Sequence, residues 1–471
     1  MNNTLFNNKY DKLIEPLYGI KRNIEEDKLL LQDNIVPSIY NILDRVDMTK
    51  HTVYSIDPDG CEDADDAFSI YEENDKLWLA IHIADPTEHI HIDSCLWKNI
   101  EQNVVTRYPS NKKPIHMMPN EIMEKASLMV NQYGDIKLAI TILTEIDKET
   151  YKPIGKVKLL FTKIKVSKNN ALSYIKAGKE IDSNTVLSNG LKISKSLQNL
   201  RSQKTKGVVL NEISLSFPKY DNVNNTSYLY LDSATEISMK QMIAEFAIFA
   251  NSFIGEYLKI NFDGTGLYRI CPAKDWLNTM YSEISGQELL NEIIVNGIKA
   301  EYISTVSPHD LVGAPEYTHF TSPIRRLSDC VCHYLLKYIH LKNTVPVPFT
   351  NDQLMKYSND CVRLTKTIKN IQYKDTKFRI IQTMNNMLIN NERITIQYYV
   401  TSYTGLYLNI IICNINEHCV YLSYTLRISN LQTKYEIKSI KSLDITRVNC
   451  IEKFDEGTIP ELDNVFITKS V

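Results

Sequence analysis

Apolar positions change their period several times along the chain, and the changes divide it. The first 50 residues are mostly polar, with one amphipathic helical stretch over residues 25–43 interrupted at Pro37. From residue 52 to 92 the pattern changes to short apolar alternations, such as Leu77-Trp78-Leu79-Ala80-Ile81-His82-Ile83, that read as strands, and residues 136–146 and 155–166 continue the strand-like pattern. Helical segments follow. Ser233-Ala234-Thr235-Glu236 has the form of a capping box, in which the Ser and Glu side chains satisfy free backbone donors. Behind it Met239, Met242, Ile243, Phe246, Phe249, Ala250, Phe253 and Tyr257 recur at a helical period. Ser322-Pro323 reads as a second helix start, with Ile324, Leu327, Val331, Tyr334, Leu335 and Tyr338 as its buried stripe. No Gly or Pro occurs between Pro348 and Gly405, so residues 354–388 are expected to form one long helix carrying Lys356, Lys366, Lys369, Lys374 and Lys377. Alternation returns at Arg393, and about 80 residues of short strands predict a small C-terminal β-barrel of OB type.

Three units are therefore expected: a helical extension over 1–44, a large α+β unit over 45–390 and the barrel over 391–471. At 43% hydrophobic and 23% charged the composition is that of a folded globule. No apolar run approaches the ~18 residues of a membrane helix, and Met1-Asn2-Asn3-Thr4 has no secretory pattern, so a soluble, cytoplasmic protein with no membrane partner is expected. A formal charge of -3 excludes a nucleic-acid binder that works by bulk positive charge. It leaves room for a local basic track, for which Lys152, Lys156, Lys158, Lys163, Lys165 and Lys168 are candidates, although an ordinary solvated face explains them equally well. Nine cysteines without a Cys-x-x-Cys pair argue against a disulfide framework or a cysteine zinc site. His82, His89, His91 and His319 have no cysteine partners and are expected to be core or hydrogen-bonding residues.

Residues 57–66 hold six carboxylates, Asp57, Asp59, Glu62, Asp63, Asp65 and Asp66. Two unit charges about 4 Å apart repel by roughly 4 kcal/mol at an effective dielectric near 20. Folding such a set together requires raised pKa values or a multivalent cation. A solvated acidic turn is the ordinary outcome for such a run, but Ile56 and Ala67-Phe68-Ser69-Ile70 anchor both of its ends in a core. An EF-hand counted from Asp57 fails, with Glu62 where Gly is required and Phe68 where Glu is required. An oxygen-only donor set favours Mg²⁺ or Mn²⁺ over Zn²⁺ and suits metal-assisted phosphoryl transfer.

Ile56-Asp57, then Asp63-Ala64-Asp65-Asp66-Ala67 after five residues, resembles the first signature of the ribonuclease II/R family, the RNB exoribonucleases. Arg45-Val46-Asp47-Met48 and His82-Ile83-Ala84-Asp85 stand where that family has its flanking motifs. Tyr317-Thr318-His319-Phe320-Thr321-Ser322-Pro323-Ile324-Arg325-Arg326 is similar to its most specific signature. The resemblance covers about residues 45 to 390 and is weak in the C-terminal barrel, where it points to an S1 domain.

The resemblance implies an α+β catalytic domain, a β-sheet or barrel core surrounded by helices. It also implies Mg²⁺-dependent hydrolysis of single-stranded RNA from its 3′ end to nucleoside 5′-monophosphates by a two-metal mechanism, Mn²⁺ being a possible substitute. Asp57, Asp63, Asp65 and Asp66 match the metal-binding carboxylates, with Asp65 the one on which the chemistry depends most. Arg325 matches the arginine on the scissile phosphate, and Arg326, beside it in the expected first helical turn, is a candidate substrate-binding residue; a surface pair of Arg325 with Asp329 is the bland alternative. Tyr108 is similar to the tyrosine that orients the terminal nucleotide, and Glu245 to a glutamate on the terminal sugar. The family's two cold-shock barrels have no counterpart in residues 1–50, so either the RNA funnel is truncated or a protein partner supplies the missing RNA surface. The Arg-Gly common before the tyrosine and the His common after Arg269 are also absent. The rival reading is a catalytically weak or inactive RNB-fold RNA-binding protein.

Overall fold

The computed structural model describes residues 15–19, 22–34, 37–110, 112–205, 215–221, 226–273, 275–277, 289, 292–293, 296–341, 344–404, 407–427 and 440–445. Strands β1 (Val46–Asp47), β2 (Ser55–Asp57), β3 (Asp66–Glu73), β4 (Lys76–Ala84), β5 (Ile136–Ile146), β6 (Pro153–Lys165) and β7 (Ala171–Ser173) come first. They form a five-stranded sheet of order β1-β6-β5-β4-β3 and a parallel β2-β7 pair. The alternation read in residues 77–83 is that of β4, which is paired on both sides and buried nearly throughout.

The helices are α1 (Ile24–Asp33), α2 (Cys95–Asn103), α3 (Asn120–Ala126), α4 (Tyr174–Glu180), α5 (Thr185–Thr205), α6 (Ala234–Asn261), α7 (Leu327–His340) and α8 (Asn351–Ile389). The capping box at Ser233 and Glu236 forms as expected, and Met239, Met242, Phe246 and Ala250 of α6 bury in the main core, where Phe246 meets Phe68 edge-on. The long helix expected over 354–388 is α8, started by a second capping box between Thr350 and Gln353.

Two helical expectations are corrected. Among the described residues of the 25–43 stretch only α1 is helical; beyond it Tyr40 and Ile42 are buried in the main core without helical structure. Helix α7 begins at Leu327, not at Pro323, so Arg325 and Arg326 precede it. Residues 322–326 are a turn, held because Asp329 Oδ1 accepts from the Ser322 amide (2.7 Å) and Asp65 Oδ1 from the Ile324 amide (2.8 Å).

The two flanking motifs meet in the interior. Arg45 donates to Asp85 and Glu88 (2.6 Å each), and Lys337 of α7 reaches the same two carboxylates at 3.1 and 2.8 Å. Buried His82 bridges Ser69 and Thr141 across β3, β4 and β5, and burial pushes its pKa down to about 3, so it is a neutral core histidine.

The remaining strands are β8 (Phe217–Asp221), β9 (Thr226–Tyr230), β10 (Thr265–Ile270), β11 (Glu301–Thr305), β12 (Ile394–Thr404), β13 (Tyr407–Ile415), β14 (His418–Arg427) and β15 (Ile440–Ile445). The last four make an antiparallel sheet of order β14-β13-β12-β15 that packs on the end of α8. The expected OB-type barrel is not found, because β14 and β15 lie at opposite edges and no closed barrel forms among the described residues. Residues 428–439 and 446–471 of the expected barrel lie outside those described. No described helix is long and apolar enough to cross a membrane.

Candidate active site

The acidic segment is fixed at both ends by the strands that precede and follow it. Asp57 closes β2, Asp66 opens β3, and the loop between them is tied down by hydrogen bonds from the Leu128 amide to the Ala64 carbonyl (2.9 Å) and from the Ala84 amide to the Asp65 carbonyl (2.8 Å). Asp57, Asp63, Asp65 and Asp66 all line one cavity of about 550 Å³, together with Tyr108, Arg325 and Arg326. Its opposite wall is one face of α6, where Lys240, Ala244, Ala247 and Asn251 follow a helical period.

Asp65 is 5% exposed, and both of its oxygens are engaged, Oδ1 by the Ile324 amide and Oδ2 by Arg325 Nε (3.1 Å). Asp57 Oδ2 and Asp63 Oδ2 are buried without a hydrogen-bond partner. His116 Nδ1 is 3.7 Å from the latter, too far for a hydrogen bond, and burial holds that imidazole below its ordinary pKa, in its neutral form. Burial, then Asp66, Asp65 and Asp63, raise the Asp57 carboxyl to about 8. Burial lifts Asp65 to about 7 against the opposing pull of Arg325, and Asp66 to about 6 against Arg325 and Arg326.

Orphaned buried oxygens, raised carboxyls and an oxygen-only donor set fit a hard divalent cation. Among the described residues no three His, Cys, Asp or Glu side chains stand in a ready-made metal-holding group. The four aspartates share a cavity while remaining apart, as like charges do.

Arg325 is partly exposed to the cavity and also donates to Ser322 Oγ (2.9 Å). The surface pair weighed for it with Asp329 does not form. Arg326 takes Asp329 instead, through Nε at 2.9 Å and a terminal nitrogen at 2.8 Å, so the substrate contact expected of Arg326 is limited by that commitment. Tyr108 is 41% exposed at the cavity wall; burial and the nearby Asp63 and Asp65 push its phenol up, so it stays protonated.

The expectation for Glu245 is corrected. Its carboxylate is buried in an ion pair with Arg201 of α5 at 2.5 Å, outside this cavity, and Ala244 faces the cavity in its place. A helix turns about 100° per residue, and here the turn from Ala244 to Glu245 carries the side chain from the cavity wall to Arg201. Sequence reasoning missed Tyr174, Lys240 and Asn251. Asn251 had a legible signal, a lone amide beside the apolar stripe of α6; it donates to the Tyr317 hydroxyl (3.1 Å) and accepts from the Phe320 amide (2.9 Å). Tyr174 follows β7, whose partner is β2, and nothing local marked it.

A family model for the RNB domain matches residues 45–342. The exosome complex exonuclease RRP44 homolog A of Arabidopsis thaliana is 26% identical over 335 residues, which is 62% of this chain and 35% of that protein. The Dss1 exoribonuclease of Candida glabrata, solved as an active-site mutant, superposes with a TM-score of 0.74 at 18% identity, covering 91% of this chain and 56% of that one. Yeast Ssd1, a pseudonuclease, gives 0.62 at 17% identity, covering 81% and 50%. This chain therefore spans about a third of the curated relative and little more than half of Dss1.

Proposed function

Because the chain belongs to the RNB family, we propose that its acidic cavity hydrolyses single-stranded RNA from the 3′ end, one nucleotide at a time, releasing nucleoside 5′-monophosphates with Mg²⁺ or Mn²⁺. The observation that carries this reading is the meeting of Asp57, Asp63, Asp65 and Asp66 with Arg325 around one cavity. Asp57, Asp63, Asp65 and Asp66 would hold the cations, Asp65 while also accepting from Arg325 and the Ile324 amide. When bound, such ions lower the pKa of water and neutralise charge on the phosphate, the chemistry of a two-metal site.

The chain's own groups do the rest. Arg325 presents a guanidinium to the scissile phosphate and is oriented by Asp65 and Ser322. Tyr108, protonated and half in solvent, is placed to stack on or donate to the terminal nucleotide, at roughly 1–3 kcal/mol per stacked base. Ala244 and Ala247 leave room for a sugar against α6, and a partner chain would extend the RNA track. The test is a 5′-labelled single-stranded RNA incubated with purified protein and Mg²⁺. Stepwise shortening with mononucleotide release is expected; an intact label after prolonged incubation ends the proposal.

One observation keeps a second reading open: the fold is shared by an exoribonuclease and by a pseudonuclease, so the fold alone does not decide turnover. A catalytically weak or inactive RNA-binding protein would bind the same RNA in EDTA and leave it unshortened in Mg²⁺. Against it stand the Asp57 and Asp63 oxygens buried without a hydrogen-bond partner and the raised Asp57 carboxyl, an arrangement that a cation would relieve.

A further inference from the structure

A second cavity, of about 290 Å³, adjoins the first, and Tyr108, His319, Arg325 and Arg326 face both. Its chemistry is the reverse of its neighbour's. Arg269 of β10 and Lys369 of α8 join Arg326 there, and no Asp or Glu lines it. Asp329 neutralises Arg326, but among the described residues no carboxylate pairs with Arg269 or Lys369. Arg269 is spread over the Tyr302 ring, its guanidinium carbon 4.7 Å from the ring centre, so its position is set by packing while its charge stays uncompensated. Burial and the nearby Arg269 and Arg326 lower the pKa of the Lys369 ammonium, as expected where cations converge without a counter-charge. Thr365 and Gln372, one turn on either side of Lys369, add neutral hydrogen-bonding groups to the same wall.

We propose that this cavity is a second phosphate site, which holds the phosphodiester adjoining the scissile one on the RNA strand that the protein retains. The inference rests on the RNA-cleaving reading above and deepens it. Because Arg325 lines both cavities, a strand whose scissile phosphate lies at Arg325 has this cavity next to it. The acidic cavity offers Ile243, Ala244 and Ala247 to the departing nucleotide, whereas the second, though also walled by Val104, Val105 and Ile368, adds the cations Arg269 and Lys369, which suit a backbone phosphate. A free nucleoside 5′-monophosphate carries the same anion and is the other source to separate.

The experiment measures binding of a 5′-fluorescein-labelled oligoadenylate RNA in EDTA across a KCl series. Each single-strand phosphate contact contributes about 0.7 to the slope of log K against log salt. Lys369→Gln and Arg269→Gln are each expected to weaken binding and flatten that slope by about 0.7. Arg269→Lys should retain the slope, as should Lys366→Gln, which removes an exposed charge of the same helix outside the cavity. Because Lys369 is exposed at the rim, its variant tests the site even where Arg269→Gln fails to fold. Unaltered slopes in both glutamine variants, with normal wild-type binding, overturn this inference alone. Wild-type protein that binds no RNA overturns the RNA-cleaving reading and this one with it. Inhibition of cleavage by AMP that Lys369→Gln relieves, with the RNA slope unchanged, assigns the anion to the product and overturns the strand assignment.

Discussion

Arg325 Nε donates to Asp65 Oδ2 across 3.1 Å, joining positions 260 residues apart in the chain. The other oxygen of Asp65 accepts from the Ile324 amide, so one carboxylate fixes both the arginine and the turn that carries it. Asp65→Asn keeps a similar shape and loses the charge. It is expected to slow cleavage by at least about 10²-fold while RNA binding in EDTA stays close to wild type. Single-turnover digestion and a binding titration measure the two separately, and full activity in the variant would remove Asp65 from the chemistry.

The acidic cavity also makes stability depend on pH. Folded Asp57, Asp65 and Asp66 have pKa values of about 8, 7 and 6, against an ordinary 3.8, so the native state binds more protons than the unfolded chain across that window. Their contribution is fully present below pH ~4 and is lost as pH rises through 6 to 8. In EDTA the melting temperature of wild type should therefore fall across this range more steeply than that of Asp57→Asn. Added Mg²⁺ should offset the fall, because a ligand of the ionised native state stabilises it. A wild-type profile no steeper than the variant's would contradict this.

Asp329 is fully buried and accepts from Arg326, the Ser322 amide and Ser328 Oγ. Asp329→Ala strands a largely buried guanidinium and is expected to cost about 3–5 kcal/mol. Urea unfolding would register it as a lower midpoint. The loss should be far smaller for Arg363→Ala, which breaks a pair whose arginine is 66% exposed.

Glu245→Gln separates two roles for that residue. Since its carboxylate lies against Arg201 and outside the acidic cavity, the variant should lose stability while its KM for RNA remains unchanged. A raised KM at unaltered stability would instead return Glu245 to the substrate.

Where a local pattern was complete in itself, the sequence determined the outcome, whereas the Ser322-Pro323 helix start gave way to a turn held by Asp65 and Asp329. The Ser233–Glu236 capping box, the uninterrupted helix α8 and the alternation in β4 depend on residues a few positions apart, and each formed as its pattern required. Asp57 stands at the end of one strand and Asp66 at the start of the next, and the fold brings both to the wall of one cavity. Tertiary structure decided what lay between distant segments. It gave Asp329 to Arg326 and Asp65 to Arg325, turned Glu245 toward Arg201, put β14 and β15 at opposite edges of the C-terminal sheet among the described residues, and gathered Arg269, Arg326 and Lys369 around one cavity. A helical period specifies which residues share a face, but only the packing of that helix against its neighbours selects the direction in which the face points.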